Sequence, residues 1–232
     1  LRDAFNERTK AIIINTPHNP TGHVFTRQEM EGIAELCMEF NIVAITDEIY
    51  EHITYDGHLH FPLATVPGMA DRTVTISGLG KTFAMTGWRL GYACTLNPLS
   101  TILRTVHDFM TICAPAPLQA ACAAVLQLPD EYYAQLKTDY TQRRDKMMEI
   151  VRKAGFLASP VQGSYYVMAD FSNWDFDGDD YSFARWLPAN LGVAVVPGSC
   201  FYGTKGMGKK TVRFAFAKKM ETLEAAGARL WR

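Results

Sequence analysis

Three short runs of mostly β-branched residues constrain this chain most: Ala11–Asn15 (AIIIN), Ile42–Thr46 (IVAIT) and Thr73–Ser77 (TVTIS). Between each run and the next lies enough chain for a helix. Short apolar runs spaced by helical segments suggest buried parallel strands with crossover helices. Leu90–Thr95 is a fourth strand candidate with a weaker pattern. The first intervening helix is well marked. Thr26 and Glu29 have capping-box spacing, and Met30, Ile33, Cys37 and Phe40 fall on one helical face. The first half therefore reads as βαβ, which predicts an α/β fold.

Beyond residue 97 the pattern changes. Helical stretches are expected over Pro117–Leu128 and Glu131–Ala154, the second with Tyr133, Leu136, Tyr140, Met147 and Ile150 as its apolar stripe and Gly155 as its stop. Strands are expected at Tyr165–Asp170, Val193–Val196 and Val212–Ala217, with helices near Tyr181–Asn190 and from Glu221 onward. We expect residues 1–135 to form part of a large domain with a mostly parallel sheet, and 136–232 a smaller α+β domain. Leu1–Arg8 reads as the end of a helix. A parallel sheet rarely has so few strands, so an N-terminal part of the larger domain is expected to be missing.

Composition narrows the function classes. In 232 residues, 23 Lys and Arg balance 24 Asp and Glu, which gives no basic footprint for nucleic acid. With 48% hydrophobic and 20% charged residues, the chain has the composition of a globular protein and not of a disordered one. Five cysteines, odd in number and without a CxxC pair, suit reduced thiols in a cytoplasmic protein. The charged start lacks an apolar signal region. The longest uncharged apolar stretch, Ile112–Pro129, holds three prolines and two glutamines and makes a poor membrane span.

Four features can carry chemistry. Asn15-Thr-Pro-His-Asn-Pro-Thr-Gly22 follows a strand, and its two X-Pro bonds and glycine describe a rigid turn in which Asn19 can donate to a ligand oxygen. Asp47 ends a buried strand, where it either meets a cationic partner such as a protonated ring nitrogen or caps the following turn; Tyr50 could reach the same ligand. Ser77-Gly-Leu-Gly-Lys81-Thr resembles a phosphate loop, but GxxxxGK requires glycine where Thr75 stands. Gly203 to Lys209 fits that spacing, yet Lys210 replaces the required Ser or Thr and a strand pattern follows. Lys81 can instead be a Schiff-base amine, since desolvation makes a neutral lysine nucleophile available. Arg89 follows shortly, and Arg213 lies inside the apolar run TVRFAFA, where it needs an anion or a structural ion pair. His58 and His60 alternate but have no third ligand at a usual spacing, so no metal site is expected.

Taken together, NPTG at 19–22, DEIY at 47–50, SGLGKTFAMTGWRLG at 77–91 and VRFAFA at 212–217 resemble the class I/II aminotransferases, which are fold type I pyridoxal 5′-phosphate (PLP) enzymes. The motifs occur in family order from about Thr9 onward. The resemblance implies PLP as cofactor, with Lys81 as the catalytic lysine that carries it and moves the substrate proton. It implies that Asp47 pairs with the ring nitrogen, that Asn19 and Tyr50 hold the phenolic oxygen, and that Ser77 and Arg89 bind the phosphate. Arg213 would grip the substrate carboxylate. Amino acid and 2-oxo acid substrates and a homodimer are implied as well. Phe25–Gly57 and Arg104–His107 resemble the methionine, aromatic and kynurenine transaminase branch. Gly78 and Gly80 depart from the serines that many members carry there, which puts one phosphate contact in doubt. Relatives also place an N-terminal portion before NPTG, so the cofactor pocket is expected to need it. Two alternatives stand beside transamination: PLP-dependent elimination such as C–S lysis, and a non-catalytic ligand-sensing domain of a transaminase-like regulator.

Overall fold

The computed structural model describes residues 1–231. It divides into two compact units, Leu1–Pro17 with Val24–Ala134, and His18–His23 with the chain from Gln135 onward.

The first unit contains β1 (Ala11–Asn15), α1 (Arg27–Glu39), β2 (Val43–Asp47), β3 (Thr73–Gly78), α2 (Leu79–Thr82), β4 (Gly91–Cys94), α3 (Leu99–Thr111) and α4 (Ala116–Val125). Its sheet runs in the order β1-β2-β3-β4. The first three strands are parallel and β4 is antiparallel. The register sets Asn15 beside Asp47 and Asp47 beside Ile76, so the carboxyl ends of the three parallel strands are level. That edge is where open α/β sheets place their ligands.

The Thr26 capping box forms in full: the Thr26 side chain accepts from Glu29 N and the Glu29 side chain accepts from Thr26 N. Met30, Ile33, Ala34 and Cys37 on α1 then pack on Ile14 and Ala44 of the sheet. One face of the sheet is covered in this way and the other is open. Ile13 on β1 is 76% exposed, and all of β4 is exposed. The reason lies in the helix count: α1 supplies one buried layer, whereas α3 buries none of its residues.

Instead α3 presents an open apolar stripe that includes Ile102, Val106, Phe109 and Met110. A groove of about 1030 Å³ separates it from β4. Phe109 is 87% exposed, so Phe109→Ser should change unfolding free energy by less than about 0.5 kcal/mol. Urea denaturation checks this; a loss of about 2 kcal/mol or more, the cost of truncating a buried aromatic, would mean that the stripe is covered in solution.

The division between units falls inside α5 (Asp130–Lys153). The second unit continues with β5 (Leu157–Ala158), β6 (Tyr166–Asp170), α6 (Asp180–Leu191), β7 (Val196–Pro197), β8 (Thr211–Ala215) and α7 (Met220–Leu230). Its sheet, β5-β6-β8-β7, is antiparallel throughout. The core is aromatic: Phe171 and Phe183 stack at 4.1 Å, and Phe156 meets Phe183 and Phe214 edge-on.

Two expected elements differ. Leu1–Arg8 contains a single 3-10 turn, Arg2–Ala4, in place of a helix end. The strand expected at Val193–Val196 is the two-residue Val196–Pro197, because the segment makes its ladder only against Val212 and Arg213. Among the described residues no helix is long and apolar enough to cross a membrane.

Candidate active site

In the first unit, five of the residues singled out by sequence stand at or after the carboxyl ends of β2 and β3. Asp47 is the last residue of β2, half-buried, and its Oδ1 accepts from Ile49 N at 3.2 Å. It thus caps the turn as one sequence reading expected. Its other oxygen has no hydrogen-bond partner among the described residues, so it stays available to a cationic N–H. Tyr50 follows in the turn and is buried. Lys81 lies half-buried on α2, the short helix directly after β3. Arg89 is exposed and adopts a left-handed backbone at φ 56°, with Nη1 donating to Thr86 O at 3.1 Å. A non-glycine residue in that region carries backbone strain of order 1–2 kcal/mol.

Ser77 is engaged elsewhere. Its hydroxyl donates to Glu51 Oε1 at 2.6 Å, and the Tyr92 hydroxyl donates to the same oxygen at 3.2 Å. Burial foremost pushes the Tyr92 phenol above its ordinary value, which keeps it a neutral donor. A phosphate on Ser77 would share that hydroxyl with a like charge.

The sequence reading missed these partners, as it missed the neighbours of His60. Buried Glu48 accepts from Thr46 Oγ1 at 2.8 Å and pairs with His60 Nε2, and ligand-capable atoms of Glu48, Glu51 and His60 lie within 4.8 Å of one another. Both carboxylates are thereby committed to hydroxyls or imidazole. Alternation along β2 was the available signal, since it puts Thr46 and Glu48 on the face opposite Asp47.

In the second unit the site is a clamp built on a turn. Residues 18–23 close through Gly22 N donating to His18 O at 2.9 Å and His18 N donating to His23 O at 2.8 Å. The turn is fastened to the following chain, because Gln162 N and Gly163 N both donate to Gly22 O, at 2.9 and 2.8 Å. Gly22 has φ +73°, and a Cβ there would stand 2.7 Å from Val161 Cγ1, so only glycine fits.

This turn presents Asn19, whose Oδ1 accepts from Arg213 Nη1 at 2.7 Å. Arg213 is mid-strand in β8, with its guanidinium carbon 4.1 Å from the Tyr166 ring centre and 4.7 Å from that of Phe201. Arg213 Nε is buried without a hydrogen-bond partner. Among the described residues no carboxylate pairs with Arg213, so the structural ion pair considered from sequence is not found. A half-buried cation with a buried orphan donor is complementary to an anion.

Burial, then the charge of His23, pushes the His18 imidazole below its ordinary value. Its Nδ1 shares a hydrogen bond with Thr21 Oγ1 at 2.7 Å. A base with a depressed folded pKa binds fewer protons folded than unfolded, so stability rises with pH across the window between the two values. The turn should therefore lose hydrogen-exchange protection at Gly22 N as pH falls below about 6.5. His18→Gln should flatten that dependence; an equal pH dependence in both proteins contradicts the assignment.

The order of these elements and the residues at their ends match one family. Residues 1–230 match the family model described as aminotransferase class I and II. The chain belongs to the class I and II aminotransferases, a PLP-dependent family, and has their fold type I architecture. Kynurenine–oxoglutarate transaminase 3 from Bos taurus is 38% identical over 97% of this chain and 54% of its own length. The solved N-succinyldiaminopimelate aminotransferase from Mycobacterium tuberculosis superposes with a TM-score of 0.95 at 39% identity, over 99% of this chain and 60% of that one. YbdL from Escherichia coli, described with a methionine aminotransferase function, gives a TM-score of 0.93 at 34% identity, over 99% of this chain and 60% of that one. The chain thus spans between about half and three-fifths of the length of these relatives.

Proposed function

We propose that the protein acts as a PLP-dependent aminotransferase that moves an amino group from an L-amino acid to a 2-oxo acid. The observation that carries this is Arg213, a guanidinium with a buried orphan nitrogen and, among the described residues, no carboxylate partner. An elimination enzyme could keep Lys81 and Asp47, and a sensor Lys81, Asp47 and Arg213; family membership favours transamination. PLP, when bound, supplies the electron sink for charge developing at the substrate Cα.

The remaining work falls to side chains. Lys81 provides the amine that anchors the cofactor and then takes and returns the Cα proton. Asp47 holds a proton on the ring nitrogen through its unengaged oxygen. Tyr50 donates to the phenolic oxygen, and the family resemblance implies the same role for Asn19. Arg89 binds the phosphate, with Ser77 as a second donor once Glu51 yields it. Arg213 receives the substrate carboxylate.

In this reading residues 1–135 are the PLP-binding portion and 136–232 the small domain. The methionine, aromatic and kynurenine branch is the donor class proposed; kynurenine and methionine aminotransferases are among the relatives, as is an N-succinyldiaminopimelate aminotransferase. A homodimer follows from the family resemblance, and a cytoplasmic setting from five unpaired cysteines. The test is 2-oxo acid formation by the full-length protein with and without 2-oxoglutarate. Transamination requires the acceptor; product formation without it would establish a lyase instead.

A further inference from the structure

Arg213 owes its position to two rings as much as to hydrogen bonds. Among the described residues it makes one hydrogen bond, Nη1 to Asn19 Oδ1 at 2.7 Å. Tyr166 and Phe201 approach the guanidinium carbon at 4.1 and 4.7 Å, both within cation–π range. Tyr166 reaches it from β6: the ladder pairs Met168 with Arg213, which makes Tyr166 its diagonal neighbour on the same face. Phe201 reaches it from the 3-10 turn Gly198–Phe201. That turn is tied down by buried Asp180, which accepts from Ser199 N at 2.7 Å.

The choice of rings has a chemical consequence. A carboxylate here would neutralise the arginine and occupy its donors. Aromatic faces stabilise the cation and fix its plane while consuming none of its N–H groups. They also exclude water, which strengthens attraction for an incoming anion. Building on the carboxylate role proposed for Arg213, we propose that Tyr166 and Phe201 are positioning residues of that subsite, holding the guanidinium preorganised for a substrate carboxylate. Their contribution is to ground-state binding of the carboxylate and not to the proton-transfer steps.

The experiment uses the full-length holoenzyme and a carboxylate without an amino group, 3-phenylpropanoate, with 3-phenylpropanamide as its neutral counterpart. Binding is followed by the absorbance change of the bound cofactor, and KM and kcat for the amino donor are measured alongside. In Tyr166→Leu and Phe201→Leu, carboxylate affinity and KM should each worsen about five-fold, within the range of a desolvated cation–π contact. Amide binding and kcat should hold. Tyr166→Phe and Phe201→Tyr keep a ring and should keep near-parental values, whereas a merely structural role would not divide the variants this way. Arg213→Lys separates the two levels of the argument. If it weakens carboxylate binding while the leucine variants do not, the ring role is overturned and the carboxylate subsite stands. If the carboxylate binds the parent no better than the amide, or Arg213→Lys leaves it unchanged, the subsite fails and this inference with it.

Discussion

Lys81→Ala should lower the turnover of the full-length protein by at least about 1,000-fold, because in the proposed mechanism it removes both the anchoring amine and the group that transfers the Cα proton. The position supports this role: Lys81 is half-buried on a helix of four residues that starts where β3 ends, level with the carboxyl end that carries Asp47. The lesion should be chemical and not structural. Tight core packing around β3 rests on neighbours such as Leu79 and Thr82, which stay in place. Circular dichroism and the unfolding midpoint should match the parent, and kcat alone should collapse. An added primary amine such as methylamine should restore part of the rate, since it can replace the lost base. Parental kcat in Lys81→Ala would end the proposed mechanism.

The second large effect is on stability. Gly198→Ala should destabilise the second unit by about 3 kcal/mol, the upper end of the usual cost of overpacking. A Cβ at Gly198 would lie 2.0 Å from Thr211 Oγ1, 2.5 Å from Thr211 O and 2.8 Å from Gly208 O. Two of those atoms are backbone. The hydroxyl cannot turn away without losing its 2.9 Å bond to Gly208 O. The strain would fall on the β7–β8 pairing and on the turn that carries Phe201. Gly203→Ala is the matched control, because a Cβ there meets nothing within 4 Å. It should stay within about 0.5 kcal/mol of the parent. Denaturant midpoints for both variants decide the matter; equal midpoints contradict the close approach.

The local features of this fold were legible in sequence. AIIIN is β1 to the residue, and the Thr26–Glu29 box starts α1 where its spacing says. Such signals are legible because a cap or a period-two run is decided by neighbours in the chain. One local feature was overlooked. Leu99, Ile102, Leu103, Val106, Phe109 and Met110 have the spacing of a helical face, and they form α3. Threonines and a β-branched valine weaken its helix propensity, which hides the pattern.

Long-range pairings left no trace. Ser77 and Tyr92 meet Glu51 across 26 and 41 positions, and Arg213 meets Asn19 across 194. Nothing at either end of such a pair names the other. For the candidate site, sequence supplied residue types and their places at strand ends. It did not supply the Glu51 carboxylate that engages the Ser77 hydroxyl, nor the rings around Arg213.

The central claim is that Lys81 carries the cofactor. The most direct measurement is a PLP titration of the full-length protein followed by absorbance, borohydride reduction and peptide mass mapping. The account predicts a saturable absorbance band and a reduced adduct confined to Lys81. No band, or an adduct spread over other lysines, would contradict it.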